Sequence, residues 1–176
     1  MIYAQDYQQL LATLDTEVTR IGKMHVAAIS CGPGCISCCL AFSVLPIEAA
    51  CLRDAIAALP STRQEQLGQK NLTKGGERCP LLIDDLCSIY VARPVICRTQ
   101  GLPLAYVDEE RQTIEVSACP LNFPADYIFV PEKLLFLDQF NTRLAELNRA
   151  WCHIQGLPPD QRIPLREIVC PFPPGA

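Results

Sequence analysis

Cys31, Cys35, Cys38 and Cys39 stand together in the run CGPGCISCC, and Cys87, Cys97 and Arg98 recur downstream in CSIYVARPVICR. A cysteine that only packs behaves as a small hydrophobe and falls on the apolar face of a periodic element. Four cysteines in a Gly/Pro loop follow neither the helical nor the strand period. Their type and spacing point to metal ligation: thiolates bind soft or borderline ions, and short spacing lets one loop deliver several of them while ordering little extra chain.

Cys79 and Cys119 extend the set to eight candidate ligands: Cys31, Cys35, Cys38, Cys39, Cys79, Cys87, Cys97 and Cys119. Cys79 lies at the far end of an expected hairpin from Cys87, where two sulfurs could meet. Eight thiolates exceed the four that a tetrahedral zinc accepts, so more than one ion is implied, or some thiols stand outside the ligand set. Adjacent Cys38 and Cys39 suggest the same, because neighbouring side chains of an extended segment point to opposite sides. Excess thiolate charge needs an offset. Arg93 and Arg98 flank the ligands and Arg78 precedes Cys79, so guanidinium donors are expected around the sulfurs, with Tyr90 and Tyr106 as further lining. Cys51 and Cys152 fall on apolar helical faces and read as core; Cys170 leans structural. His25 and His153 sit on helical stripes as core or boundary residues.

A helical frame must position these groups. Tyr3, Tyr7, Leu10, Leu14, Val18, Ile21 and His25 recur at helical steps, predicting a long helix that ends near Ser30. Pro46 fits the first turn of a second helix to about Leu59, with Ile47, Cys51, Ala55 and Ala58 facing inward. Ser61 and Gln64 form an expected capping box for a third helix towards Leu72. After Lys74-Gly75-Gly76 the pattern changes to short strands. Leu81–Ile83 and Leu86–Tyr90 form one hairpin around Asp84-Asp85, and Leu102–Val107 with Thr113–Val116 a second around Asp108-Glu109-Glu110. Pro94 starts a helical turn carrying Cys97 and Arg98. Pro131 opens a last helix, with Leu134, Leu137, Phe140, Leu144, Leu147 and Trp151 on its stripe, up to Gly156. Residues 157–176 read as a proline-rich extended tail.

Length and composition bound the rest. The chain has 176 residues, enough for a single domain with its own core, and 11 cysteines, an odd number that cannot pair completely. The start of the chain shows no basic segment followed by an apolar one, so a cytoplasmic location with reduced thiols is expected, which favours metal over disulfide. A net charge of -4 with scattered basic residues argues against nucleic acid as a partner. No apolar run reaches the roughly 20 residues of a membrane span. HExxH, GxSxG and Gly-rich phosphate loops are missing from the sequence.

The cysteine run and C-x7-C-S-I-Y-V-A-R-P-V-I-C-R together resemble the CxxCxxCC cysteine-cluster (YkgJ-like) family of zinc- or iron-chelating domains. Cys87, Ile89, Tyr90, Arg93, Pro94, Cys97 and Arg98 match its second signature, and Cys35, Cys38 and Cys39 the last three cysteines of its first. Cys31 departs from it, with three residues before Cys35 where the family has two. The resemblance spans Cys31 to Cys119. It implies a metal-chelating protein in which metal ions are the ligand. The expected fold is mainly α with small β-hairpins (α+β), a single domain around a Cys-ligated metal centre. Zinc leads; iron, mononuclear or as an Fe–S cluster, is the alternative. Flagellin lysine methylases resemble the family in the cluster region, so a metal-dependent modifying enzyme is the competing functional reading.

Overall fold

The computed structural model describes residues 2–73 and 76–169. Lys74, Gly75, Cys170, Pro171, Pro173 and Pro174 lie outside them, as does the side chain of Tyr3. In chain order the elements are α1 (Ile2–Met24), β1 (Ser43–Val44), α2 (Pro46–Ala57), α3 (Ser61–Thr73), β2 (Leu82–Ile83), β3 (Leu86–Cys87) and α4 (Val95–Thr99). There follow β4 (Leu104–Asp108), β5 (Thr113–Ser117), β6 (Leu135–Phe136), α5 (Asp138–Gln155), β7 (Ile163–Pro164) and α6 (Leu165–Val169). Helix and strand are mixed, and helix predominates. The chain forms two compact units, one from Met1–Gly32 with Val95–Leu147 and the other from Pro33–Pro94 with Asn148–Ala176.

In the first unit α1 buries Tyr7, Leu10, Leu14 and Ile21 along the expected stripe, with Leu11 beside them. It stops at Met24 rather than near Ser30. The reason is His25, whose ring is drawn away from the helical line: Nε2 meets the Lys133 carbonyl oxygen at 2.8 Å and Nδ1 the Tyr127 hydroxyl at 3.1 Å. His25 is buried, edge-on to Phe123, as a satisfied core residue. Helix α1 packs on α4 and β6.

The second expected hairpin is present: β4 and β5 pair antiparallel with Tyr106 opposite Glu115. Strand β6 joins β4 in parallel, giving the order β5-β4-β6. That strand corrects the expected last helix. Pro131 opens only a single 3-10 turn, Pro131–Lys133, and Leu135–Phe136 then pairs with Leu104–Ala105. Helix α5 begins at Asp138, whose carboxylate accepts the Val107 N–H at 3.1 Å. Sheet pairing and burial of Leu134, Leu135 and Leu137 outweigh a periodicity that runs on into the true helix. Gly156 ends α5 as expected, with φ of 66°, and the Leu157 N–H reaches back to the Cys152 carbonyl.

The second unit has a core of Val44, Ala49, Leu52, Leu67, Leu81, Leu82, Ile89, Ile163, Leu165, Ile168 and Val169, with Cys79 among them. Ile47 is buried in α2 as expected, together with Ala49 and Leu52, whereas Ala58 is exposed and Cys51 half-buried. The start of α2 is satisfied at a distance: Asn148 Oδ1 accepts the Ile47 N–H at 3.2 Å, and its amide donates to Pro159 O at 2.8 Å. Glu48 turns back to the Leu45 N–H. Gln64 serves the other end of α2, donating to the Ala57 and Leu59 carbonyls, so no capping box forms with Ser61. Residues 163–169 correct the extended tail. Strand β7 pairs with β1, and α6 packs on α2 and α3, burying Leu165, Ile168 and Val169.

Candidate metal centre

The second unit carries Cys35, Cys38, Cys39, Cys79 and Cys87. Gly34, at φ of 89°, turns the chain into the cysteine loop. There the Cys39 N–H bonds the Ile36 carbonyl at 3.0 Å and the Leu40 N–H the Cys38 carbonyl at 3.0 Å. This tight turn changes the expectation for the adjacent pair. The segment is not extended, and each of the Cys38 and Cys39 thiols bears on the pKa of the other.

Residues 77–79 lace the loop in place. The Arg78 guanidinium donates to the Ile36 carbonyl at 2.7 Å, the Cys79 N–H to the Cys39 carbonyl at 3.0 Å, and the Ala41 N–H to the Glu77 carbonyl at 2.7 Å. The expected hairpin exists as β2 and β3, turning at Asp84 and Asp85, both at positive φ. Its register places Leu82, not Cys79, opposite Cys87. Cys79 precedes the ladder and is tied to Cys39; it is buried in the core, with Cys39 and Cys87 packed against that core.

Charge ties the set together. Burial raises the Cys39 thiol pKa, and neighbouring Cys87 and Cys35 raise it further, while the Cys38 sulfur and Arg93 lower it. Burial also raises that of Cys38, with Cys39 and Cys35 adding to the effect. Cys87 is raised by burial and eased by the Ile89 N–H and by Arg93. Arg93 is therefore the cation nearest in effect to two of these sulfurs. Its position is fixed by Tyr90: Nε donates to the Tyr90 carbonyl at 3.1 Å, and the guanidinium lies 3.6 Å over the exposed ring.

The first unit holds Cys31, Cys97 and Cys119. Cys97 rides on α4, and Cys119 opens a turn in which its carbonyl takes the Asn122 and Phe123 N–H groups. Cys31 is exposed, but its sulfur rests on the Asn122 carboxamide. Arg98, expected beside the thiolates, pairs with Asp15 of α1 at 2.5 Å and is nearly buried. Tyr106 is raised by burial and by Asp138. Asn122, Gly101 and Ser88 were not legible as site residues; only a polar side chain three positions after Cys119, and a glycine shortly after Cys97, hinted at the first two. Among the described residues no three Cys, His, Asp or Glu side chains are gathered to hold an ion as they stand. The ten described cysteines are thiols.

The CxxCxxCC family model, described as a putative zinc- or iron-chelating domain, matches residues 30–120, more than half of the chain. The protein belongs to the CxxCxxCC family. No curated protein and no solved structure matches it. In this CxxCxxCC chain the matched segment begins one residue before Cys31 and ends one after Cys119, so it contains every candidate ligand. No described helix is long and apolar enough to cross a membrane.

The residues present suit such an ion. Sulfur donors that raise one another's pKa are a set that a cation relieves, because it replaces protons and repulsion together. Ser88 Oγ, next to Cys87, is buried without a hydrogen-bond partner, a cost of about 1–3 kcal/mol that a group missing from the protein chain could remove.

Proposed function

We propose that this CxxCxxCC protein chelates zinc, with iron as the alternative ion, through cysteine thiolates. Cys35, Cys38, Cys39 and Cys87 form the leading ligand set, with Cys79 beneath them. The observation that carries the reading is the laced turn: Arg78 and Cys79 fix the loop carbonyls of Ile36 and Cys39, the sulfurs on that turn act on one another, and Cys87 acts on Cys39. Four thiolates match tetrahedral zinc. Gathering them calls for side-chain rotation, which a prebuilt backbone makes inexpensive. Bound zinc would supply a closed structural cross-link there, and Arg93, held over Tyr90, would offset thiolate charge. Cys31, Cys97 and Cys119 form a further set of three thiols, consistent with more than one ion per chain.

Elemental analysis of anaerobically purified protein tests this. At least one zinc or iron per chain is expected, with the absorption spectrum separating the two metals. Structural zinc in small domains is worth roughly 10–16 kcal/mol, against a net stability of roughly 5–15 kcal/mol, so chelation should lower the melting temperature and change the circular dichroism. Cys38→Ser and Cys87→Ser should lose metal, while Cys51→Ala and Cys152→Ala keep it. Less than one metal per chain, with unchanged circular dichroism after chelator, defeats the reading.

A further inference from the structure

Asn122 lies two residues beyond the segment the family model matches and is buried, 5% exposed. Its carboxamide is committed on both sides. Nδ2 donates to Cys31 Sγ at 3.2 Å and to the Gly101 carbonyl at 2.7 Å. Oδ1 accepts the Ser30 N–H at 3.0 Å and stands 3.4 Å from Cys31 Sγ, within reach of the thiol proton. The Asn122 N–H in turn bonds the Cys119 carbonyl at 3.0 Å. One side chain thus joins the entry to the cysteine loop, the turn after α4 and the turn at Cys119. Gly101 completes the cradle: it sits at φ of 90°, and a Cβ there would stand 3.3 Å from Cys31 Sγ and 3.4 Å from Asn122 Nδ2.

We propose that Asn122 is the positioning residue for Cys31 as a metal ligand, its amide N–H aimed at the sulfur. The inference rests on reading Cys31 as one of the chelating thiolates. A carboxamide suits both states of that sulfur. It accepts from the thiol, and once the proton is gone its N–H still donates to a thiolate, whose remaining lone pairs can accept it while the sulfur holds a metal. Cys31 is also the cysteine set off from Cys35 by three residues, and the Asn122 clamp gives it a fixed seat independent of that spacing.

The test compares the full chain with Asn122→Ala, Asn122→Asp, Cys31→Ser and the double variants. Zn²⁺ retention is measured by chelator competition, and Co²⁺ loading by the thiolate-to-metal charge-transfer band. Asn122→Asp keeps the shape and the acceptor for the Ser30 N–H but lacks the N–H donors. Both Asn122 variants are expected to lose about 10–100-fold in affinity and the same part of the cobalt band that Cys31→Ser loses. In the Cys31→Ser background neither should cost anything more. Equal losses in both backgrounds, or failure of both variants to fold, would make Asn122 a brace of the chain and overturn the inference. Unchanged affinity in Cys31→Ser overturns it by removing Cys31 as a ligand. Chelation as such is judged separately, by the metal content of the unaltered protein.

Discussion

Cys38 and Cys39 show what one backbone turn does to chemistry. In an extended chain their sulfurs would part; in the turn closed by the Cys39 N–H on Ile36 each thiol bears on the pKa of the other, so the pair suits one ion as well as two. Cys51 is the contrast. Burial, with Asp54 and Glu48 nearby, pushes its thiol up to about 11. Only the thiolate is a nucleophile, so with roughly one Cys51 in a thousand ionised at a pH of about 8 its alkylation is slowed in proportion, and the rate grows as pH rises towards 11. Timed iodoacetamide labelling of the metal-loaded protein followed by peptide mass spectrometry should find Cys51 modified far more slowly than an ordinary thiol near neutrality, with the rate climbing as pH rises towards 11. Rapid labelling at neutral pH would show that its environment is not the desolvated one described. Cys152, fully buried with its sulfur 3.6 Å from Asn148 Oδ1, should resist labelling as long as the fold holds.

At the scale of elements, the cysteine loop is held through its own carbonyls by the Arg78 guanidinium, 42 residues downstream of Ile36, and by the Cys79 N–H, a pairing that no local pattern announces. The hairpin at Asp84-Asp85, the strand pair around Asp108-Glu109-Glu110, and the helical turn after Pro94 were legible because turn chemistry and proline are local signals. The start of α5 was not, because Leu134 and Leu137 keep a helical spacing while β6 is claimed by β4; nor was α6, hidden in a proline-rich stretch whose apolar residues are buried by α2 and α3. The ion pair of Arg98 was hidden for the same reason: Asp15 lies 83 residues away in sequence. Since Asp15 is half exposed, Asp15→Asn should cost only about 1 kcal/mol by chemical denaturation, with metal content unchanged at saturating zinc; loss of metal would return Arg98 to the thiolates. Asp85, at φ of 58°, should accept glycine: Asp85→Gly is expected to raise stability by about 0.5–1 kcal/mol, and a fall would show that the aspartate side chain holds the turn.

For the whole molecule the proposed chemistry predicts the sign of a charge change. The chain carries a formal net charge of -4 at pH 7 with its cysteines neutral; burial raises the thiol pKa values of Cys38, Cys39 and Cys87 above the ordinary value, and neighbouring cysteines raise those of Cys38 and Cys39 further. These thiols therefore hold their protons at neutral pH, and an ion can be bound only by releasing them. One divalent ion held by four thiolates brings in two positive charges and expels about four protons, so each loaded ion makes the protein about two charges more negative. Apparent affinity must then rise with pH across the neutral range, by up to about four orders of magnitude per pH unit for four thiols, and fall as acid restores the protons. Native electrophoresis at pH 7 should show the zinc-loaded protein migrating faster towards the anode than the stripped protein at matched compactness, and calorimetry in buffers of differing ionisation enthalpy should count the protons. A carboxylate or surface site would do the opposite, adding charge without releasing protons. Slower anodic migration on loading, with affinity flat in pH, would exclude thiolate chelation however much metal is bound.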